Sequence, residues 1–239
     1  MKQKSLVLLG STGSIGQQTL EVVKAHPGQL KVTALAAGRN RLLLEEQARF
    51  FKPQYVALYD KEAASQLRGR LEDLPIEVLS GLEGLNLLAE LPEADLVVNA
   101  LTGFAGLEPT LKALKQGRTV AMANKEPIVA AGDLLMGQAR RAGAVILPID
   151  SEPSAIFQCL RGESRAVQRL LITASGGPFR GWSRKQMETI TPQMALRHPN
   201  WNMGPKITVD SSTMMNKGLE VIEAHFLFDV GYEHIDVLV

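Results

Sequence analysis

Asp150, Glu152 and Glu220 are the side chains of this sequence with the clearest chemical use. Asp150-Ser151-Glu152 sets two carboxylates close together after an apolar run, and such a pair repels unless a cation or a proton intervenes. Donor sets made only of oxygen favour a hard divalent ion, Mg²⁺ or Mn²⁺, over a soft one. On a helix, Asn216, Lys217 and Glu220 share one face through their i, i+3 and i+4 spacing, so Glu220 can bring a third carboxylate to the same point. Acidic residues at a helix start also serve as caps, and spacing alone leaves both readings open for Asp150 and Glu152.

A second cluster is made of glycines and hydroxyls. Gly10-Ser-Thr-Gly13-Ser-Ile-Gly16 follows an apolar run directly and opens a helical stretch. Glycines there let the backbone turn tightly and approach a pyrophosphate held at a helix N-terminus, with Thr12, Gly13, Ser14 and Ile15 as contacts and the hydroxyls of Ser11, Thr12 and Ser14 as added donors. The next strand ends in Ala37-Gly38-Arg39-Asn40, without the acid that would hold the ribose 2′-hydroxyl of NAD. The planar donor fork of Arg39 suits a 2′-phosphate instead, so NADPH is the expected cofactor. A solvated helix-start arginine is the plainer alternative.

Other segments gain meaning only in company. Asn124-Lys125-Glu126 follows a strand near the carboxyl edge of the expected sheet, where a lysine can meet an anionic oxygen. Ser175-Gly176-Gly177 offers backbone N–H groups to an anion, and Ser211, Asn216 and Lys217 can complete a phosphate site near the last helix. Each reads equally as a turn or a cap. His198-Pro-Asn-Trp201-Asn-Met-Gly204 has the mixed composition of a lid, or of a structural loop with Trp201 in the core. Cys159 is expected on a packed helix face, Met214-Met215 in the core, and His26, His225 and His234 in surface or packing roles.

The elements that must position these residues alternate. Strands are expected at Ser5–Leu9, Lys31–Ala36, Tyr55–Tyr59, Leu96–Asn99, Thr119–Met122 and Val145–Pro148. Helices are expected at Ile15–Ala25, Arg41–Phe51, Leu107–Gln116 and Pro127–Arg141. Strands apolar on consecutive positions belong to a sheet covered on both faces, so the first part reads as a Rossmann-like, doubly wound parallel α/β sheet over residues 1–149. From residue 150 to 239 the pattern changes to α+β: a helix at Ser151–Leu160, a strand at Gln168–Ala174, a loop-rich stretch, a long helix at Ser212–Phe228 and a strand at Ile235–Val239. Met215, Leu219, Ile222 and Phe226 mark the expected buried face of that long helix.

The net charge of +1 gives no pull towards nucleic acid or membrane, and the one cysteine excludes an internal disulfide. The first apolar run ends at Gly10, too soon for a signal or membrane segment, so a cytoplasmic protein is expected.

Taken in order, Leu8-Leu-Gly-Ser-Thr-Gly-Ser-Ile-Gly16, Ala123-Asn-Lys-Glu126, Asp150-Ser-Glu152, Ala155-Ile-Phe-Gln158, Ser175-Gly-Gly-Pro-Phe179, His198-Pro-Asn-Trp201, Asp210-Ser211 and Met214-Met-Asn-Lys-Gly-Leu-Glu220 resemble the 1-deoxy-D-xylulose 5-phosphate reductoisomerase family. The resemblance implies conversion of that sugar phosphate to 2-C-methyl-D-erythritol 4-phosphate in the non-mevalonate isoprenoid pathway, with NADPH and Mg²⁺ or Mn²⁺. It implies Asp150, Glu152 and Glu220 as metal ligands, and Lys125, Ser151 and Glu152 at the oxygenated end of the substrate. Ser175, Ser211, Asn216 and Lys217 would hold the phosphate, His198 and Trp201 would close over the site, and Gly204 would lie near the nicotinamide. Asn124 and Glu126 would join the cofactor contacts, and a homodimer is implied for the full-length protein.

Pro127 and Pro153 depart from the family pattern, which has Ser or Thr and His at those places, although either proline fits the first turn of a helix. The family continues past Val239, so a truncated chain is expected, one that binds NADPH but is poorly active or poorly stable alone. Two rivals remain at this point. An aspartate-semialdehyde-dehydrogenase-like NADP enzyme would need Cys159 as its nucleophile, and a non-catalytic NADP-sensing module would have no use for the three acids.

Overall fold

The computed structural model describes residues 3–198 and 204–239, which form two compact units divided between Asp150 and Ser151. The first unit runs β1 (Lys4–Leu9), α1 (Ser14–Ala25), β2 (Leu30–Ala37), α2 (Arg41–Phe51), β3 (Tyr55–Leu58), α3 (Lys61–Arg70), β4 (Glu77–Ser80), α4 (Gly81–Ala89) and β5 (Leu96–Asn99). A 3₁₀ turn (Gly103–Gly106) then leads to α5 (Leu107–Lys115), β6 (Thr119–Met122), α6 (Glu126–Ala142) and β7 (Ile146–Pro148). The strands form a seven-stranded sheet in the order β4-β3-β2-β1-β5-β6-β7, parallel throughout.

This is the expected doubly wound sheet, with β4, α3 and α4 added between two anticipated strands. The reason for the parallel arrangement lies in the strand composition. Leu6, Val7, Leu8 and Leu9 are all buried, as are Ala34 to Ala37, because helices cover what an open sheet would expose. Leu8, Leu35, Leu44, Leu58 and Leu67 belong to one apolar cluster, where truncating a leucine to alanine costs about 2–5 kcal/mol. The chain reverses its direction of growth between β1 and β5, so Leu9 and Asn99, paired in register, end side by side at the switch point where such sheets bind ligands.

The second unit contains α7 (Ser151–Leu160), β8 (Leu170–Thr173), α8 (Arg184–Met187), α9 (Pro192–Ala195), α10 (Pro205–Ser212), α11 (Met215–Phe228), a 3₁₀ turn (Tyr232–His234) and β9 (Ile235–Leu238). β8 and β9 pair in parallel. Leu170, Ile172, Ala224, Val230 and Ile235 form its core, with Ile156, Val221 and Phe228 packed against them.

Three expectations change here. The single helix expected over Ser212–Phe228 is two, because Met214 takes a left-handed backbone with φ +61 that ends α10 and lets α11 start at Met215. The buried residues of α11 are Lys217, Glu220, Glu223 and Ala224, while Met215, expected in the core, is exposed. Ion pairs make that inversion possible, as described below. Cys159 is exposed rather than packed. It opens onto a cavity of about 1010 Å³ lined by α7, β8 and the segment between them, so burial is no argument against its reactivity. No helix among the described residues is long and apolar enough to cross a membrane.

Candidate functional site

In the first unit the glycine-rich turn is built by close approach. Gly10 sits at φ +92, and a Cβ there would lie 2.4 Å from the carbonyl oxygen of Ala100. A Cβ on Gly16 would lie 2.1 Å from the oxygen of Gly10, so the turn closes only with glycine at both places. Gly10 and Ser11 both donate their N–H to Ala36 O at 2.8 Å, which ties the turn to β2. The full burial of Ser11 corrects the expectation that its hydroxyl is a donor to the pyrophosphate. Gly13 is the N-cap of α1 and supplies no side-chain cap, so the first N–H groups of that helix face the side of the turn where Gly13, Ser14 and Ile15 are exposed and Thr12 is half-buried. An open helix start beside a glycine turn is suited to a phosphate.

Gly38, Arg39 and Asn40 are exposed where β2 ends. Asn40 accepts a hydrogen bond from Leu43 N at 3.3 Å and so caps α2. On the other side of the switch point, Asn124 is buried behind β6. Its Nδ2 donates to Leu101 O (2.5 Å) and Gly103 O (2.7 Å), and its Oδ1 accepts from Glu126 N (3.2 Å). The amide of Asn124 thus holds the loop after β5 and the start of α6 together. Asn99, fully buried at the end of β5, donates to Gly106 O and to Thr110 Oγ1 and accepts from Leu101 N.

Lys125 follows Asn124 directly, and its buried ammonium lies 2.5 Å from Asp150 Oδ2. Pro127 and Pro153 both occupy the first turn of their helices and are buried, as a residue without an N–H allows.

The second unit gathers charge. Glu152, in the first turn of α7, pairs with Lys217 Nζ at 2.7 Å. The same ammonium pairs with Glu220, and Asn216 Nδ2 donates to Glu220 Oε1 at 2.6 Å. Glu220 is 1% exposed and Lys217 7%. Glu152 and Glu220 each present an oxygen within 4.8 Å of the other. Asp150 precedes this unit by one residue.

The small-residue loop after β8 is also fixed by contact. Gly177 has φ +69, and a Cβ on it would come within 2.6 Å of Ser211 O, so the turn lies against the end of α10. Ser175 Oγ accepts from Gly177 N and lies 3.3 Å from His198 Nε2. Ser175, Ser211 and His198 therefore belong to one corner of the unit, with Gly204 exposed at the cap of α10. Trp201 lies outside the described residues. Gln47 and Asn99 bear on the first site without having been singled out, since a buried glutamine on an amphipathic helix and an asparagine at a strand end look like ordinary surface and turn residues in a sequence.

Comparison with known proteins gives the family. The family model of 1-deoxy-D-xylulose 5-phosphate reductoisomerase matches residues 6–132, and that of its C-terminal domain matches residues 146–228. The reductoisomerase of Desulfitobacterium hafniense (strain DSM 10664 / DCB-2) is 58% identical over 99% of this chain, and that of Heliobacterium modesticaldum 54%. The chain spans 62% and 61% of the length of these two curated relatives. Among solved structures, a reductoisomerase in complex with NADPH, fosmidomycin and magnesium superposes with a TM-score of 0.92 at 42% identity, over 98% of this chain and 60% of that one. The Zymomonas mobilis enzyme in complex with NADPH gives 0.91 at 40%, over 98% and 61%. Both the glycine turn and the acidic helix lie within the matched segments, and the chain belongs to the 1-deoxy-D-xylulose 5-phosphate reductoisomerase family.

Proposed function

We propose that the first unit binds NADPH and that the second binds a divalent cation and the phosphate of the substrate, in the conversion of 1-deoxy-D-xylulose 5-phosphate to 2-C-methyl-D-erythritol 4-phosphate. The observation that carries this reading is the pairing of Glu152 and Glu220 around a single ammonium group. Carboxylates that close in a protein interior require a positive partner, and the Lys217 ammonium stands where a metal ion would. The donors are all oxygen, which fits Mg²⁺ or Mn²⁺, with Asp150 as the third ligand. When bound, such an ion supplies Lewis-acid polarisation of the substrate's carbonyl and hydroxyl oxygens.

The chain's own residues do the rest. Glu152 and Glu220 would hold the ion, and the ammonium of Lys217, which pairs with both, would then be available to a phosphate oxygen beside Ser175, Ser211 and Asn216. Anchoring the phosphate supplies binding energy that orients the reacting end against Lys125, Ser151 and Glu152. His198 and Trp201 close over the substrate and exclude water. Thr12, Gly13, Ser14 and Ile15 receive the pyrophosphate, Gly38, Arg39 and Asn40 the 2′-phosphate, and Asn124, Glu126 and Gly204 the nicotinamide half. One solved relative in complex with NADPH, fosmidomycin and magnesium and another in complex with NADPH support the choice of cofactor and ion. A homodimer is inferred from the family resemblance alone, and the expectation of a cytoplasmic location rests on the short apolar run that ends at Gly10.

The test is binding by the 239-residue chain, with NADPH followed by its fluorescence and Mn²⁺ by electron paramagnetic resonance. Glu152→Gln is expected to weaken Mn²⁺ by more than about 100-fold, since even groups outside the ligand set are worth 10–100-fold. NADPH affinity is expected to stay as in the wild type. Equal Mn²⁺ binding by the two proteins would remove the metal site. Turnover with the sugar phosphate is expected to require the ion and to disappear with chelator.

A further inference from the structure

The turn that meets the dinucleotide is held from behind by a residue of another helix. Gln47 lies on α2, 7% exposed, and its Nε2 donates to the carbonyl oxygen of Ser11 at 2.9 Å. Ser11 is fully buried, and its own N–H is already given to Ala36 O. Both ends of this residue are therefore fixed: the N–H by β2, the C=O by α2. The next carbonyl, of Thr12, accepts from Gln17 Nε2 at 3.1 Å.

These bonds decide where the turn's N–H groups point. The described backbone has no cis peptide, and in a trans peptide the C=O and N–H of one plane are opposed. Drawing Ser11 C=O towards Gln47 sends the Thr12 N–H the other way, away from α2. A flip of that plane would turn only ψ of Ser11 and φ of Thr12, and the bond from Gln47 to Ser11 C=O is the contact that such a flip would have to break. The same helix is capped by Asn40, at the end of the Gly38-Arg39-Asn40 segment, so Gln47 also links the turn to the element that follows Arg39.

We propose that Gln47 is a positioning residue for the dinucleotide: by holding the Ser11–Thr12 peptide plane in one orientation, it presents the Thr12 N–H to the pyrophosphate. The inference rests on the NADPH reading above and adds to it a residue that touches no part of the cofactor. Gln47 also places a second polar atom in the interior. Its Oε1 and the hydroxyl of Ser11 are buried and accept or donate no hydrogen bond to a described protein group. Groups of that kind are costly to bury, so their retention under the turn needs a reason, and orienting the peptide supplies it for the amide.

The test separates pyrophosphate from the rest of the cofactor. Gln47→Met keeps the length of the side chain and removes the donor. Its affinity is measured for NADPH and for adenosine 2′-monophosphate, which has the 2′-phosphate and no pyrophosphate. The expected result is a Kd for NADPH raised about tenfold, the worth of one lost phosphate hydrogen bond, with the monophosphate within about twofold of the wild type. Equal weakening of both ligands would mean that Gln47 only packs α2, and unchanged NADPH binding would mean that the turn holds itself; either overturns the inference. Failure of the wild type to bind NADPH would instead strike the cofactor reading.

If Gln47→Met does not fold, the backbone amide resonance of Thr12 in the isotope-labelled wild type decides the matter. It is expected to move with NADPH and to stay with the monophosphate. A Thr12 amide that moves with neither, or alike with both, overturns the proposal.

Discussion

In the first unit the groups that would meet a dinucleotide are backbone N–H atoms, and the side chains that steer them are neutral amides: Gln47 on the carbonyl of Ser11, Asn99 and Asn124 on the loop after β5. In the second unit the groups that would meet a cation and a phosphate are charged side chains, and α11 carries Lys217, Glu220 and Glu223 on its buried face. A neutral amide buried with its partners costs little and fixes geometry, and even the unpaired Oε1 of Gln47 costs less than a stranded charge. A buried charge is tolerable only while its counter-charge stays in place. The first site should therefore be stable with or without ligand, whereas the second holds its shape by an internal cation until another replaces it.

The sharpest way to break this contrast is Lys217→Met in protein freed of metal. It strands Glu220 in the interior without its counter-ion and is expected to cost the second unit about 3–5 kcal/mol. Both tryptophans, Trp182 and Trp201, belong to that unit, so the tryptophan fluorescence midpoint in urea reads it directly. Adding Glu220→Leu to Lys217→Met should recover most of the loss, because an apolar pair replaces a charged one. A Lys217→Met midpoint equal to the wild type would show the charges to be solvated and end the comparison.

Asn99→Leu is the matching change in the first unit. It leaves Leu101 N without its side-chain partner in a fully buried place and takes from Gly106 O one of two donors, Thr110 Oγ1 remaining, at a cost of roughly 2 kcal/mol. Hydrogen exchange of the amides in β5 and β6 should quicken while the tryptophan transition stays where it was. Movement of both by the same amount would show that the two units unfold as one, and that the contrast between their sites has no thermodynamic counterpart.

The same difference explains what could be read from the residues in advance. A parallel sheet buries its strands on both faces, so β1, β2, β5 and β6 announce themselves as short unbroken apolar runs, and the glycine turn follows the first of them. β4 carries only Val78 and Leu79 between Glu77 and Ser80, and α3 buries only Ala64 and Leu67, too few anchors to set a period. On α11 the pattern misleads. Its apolar positions predict a core face through Met215, and the structure buries the charged face instead, because Glu152, distant in sequence, reaches Lys217. The break at Met214 has no glycine or proline to mark it. The acids Asp150, Glu152 and Glu220 were visible as residue types, but only folding puts Glu152 and Glu220 on one ammonium.

Acid is the mildest probe of the contrast, and it distinguishes two kinds of ion pair. Glu45 on α2 is held below its ordinary pKa of 4.5, chiefly by its hydrogen bond to Arg70, with Arg49 adding to the effect and burial opposing it. Arg49 and Arg70 reach it from α2 and α3, so the pairing with Arg70 exists only in the folded unit. A depressed carboxylate stabilises the fold fully above its unfolded pKa, and the contribution fades as pH falls through the folded one. The melting midpoint of the first unit, followed by far-ultraviolet circular dichroism, should therefore hold steady down to about pH 4.5 and then decline, with a shallower decline in Glu45→Gln. Asp73, lowered by the same Arg49, keeps part of the slope in that variant. In the second unit Glu163 is drawn down further, to about 2, by Arg165. Those partners are two positions apart on an exposed loop, and the pair can form in the unfolded chain as well. A shift present in both states contributes nothing to the difference between them, so Glu163→Gln should leave the tryptophan midpoint unchanged from pH 7 down to about pH 3. A fall in that midpoint specific to Glu163→Gln would show that the loop pairing is made by the fold rather than by the neighbourhood of two residues.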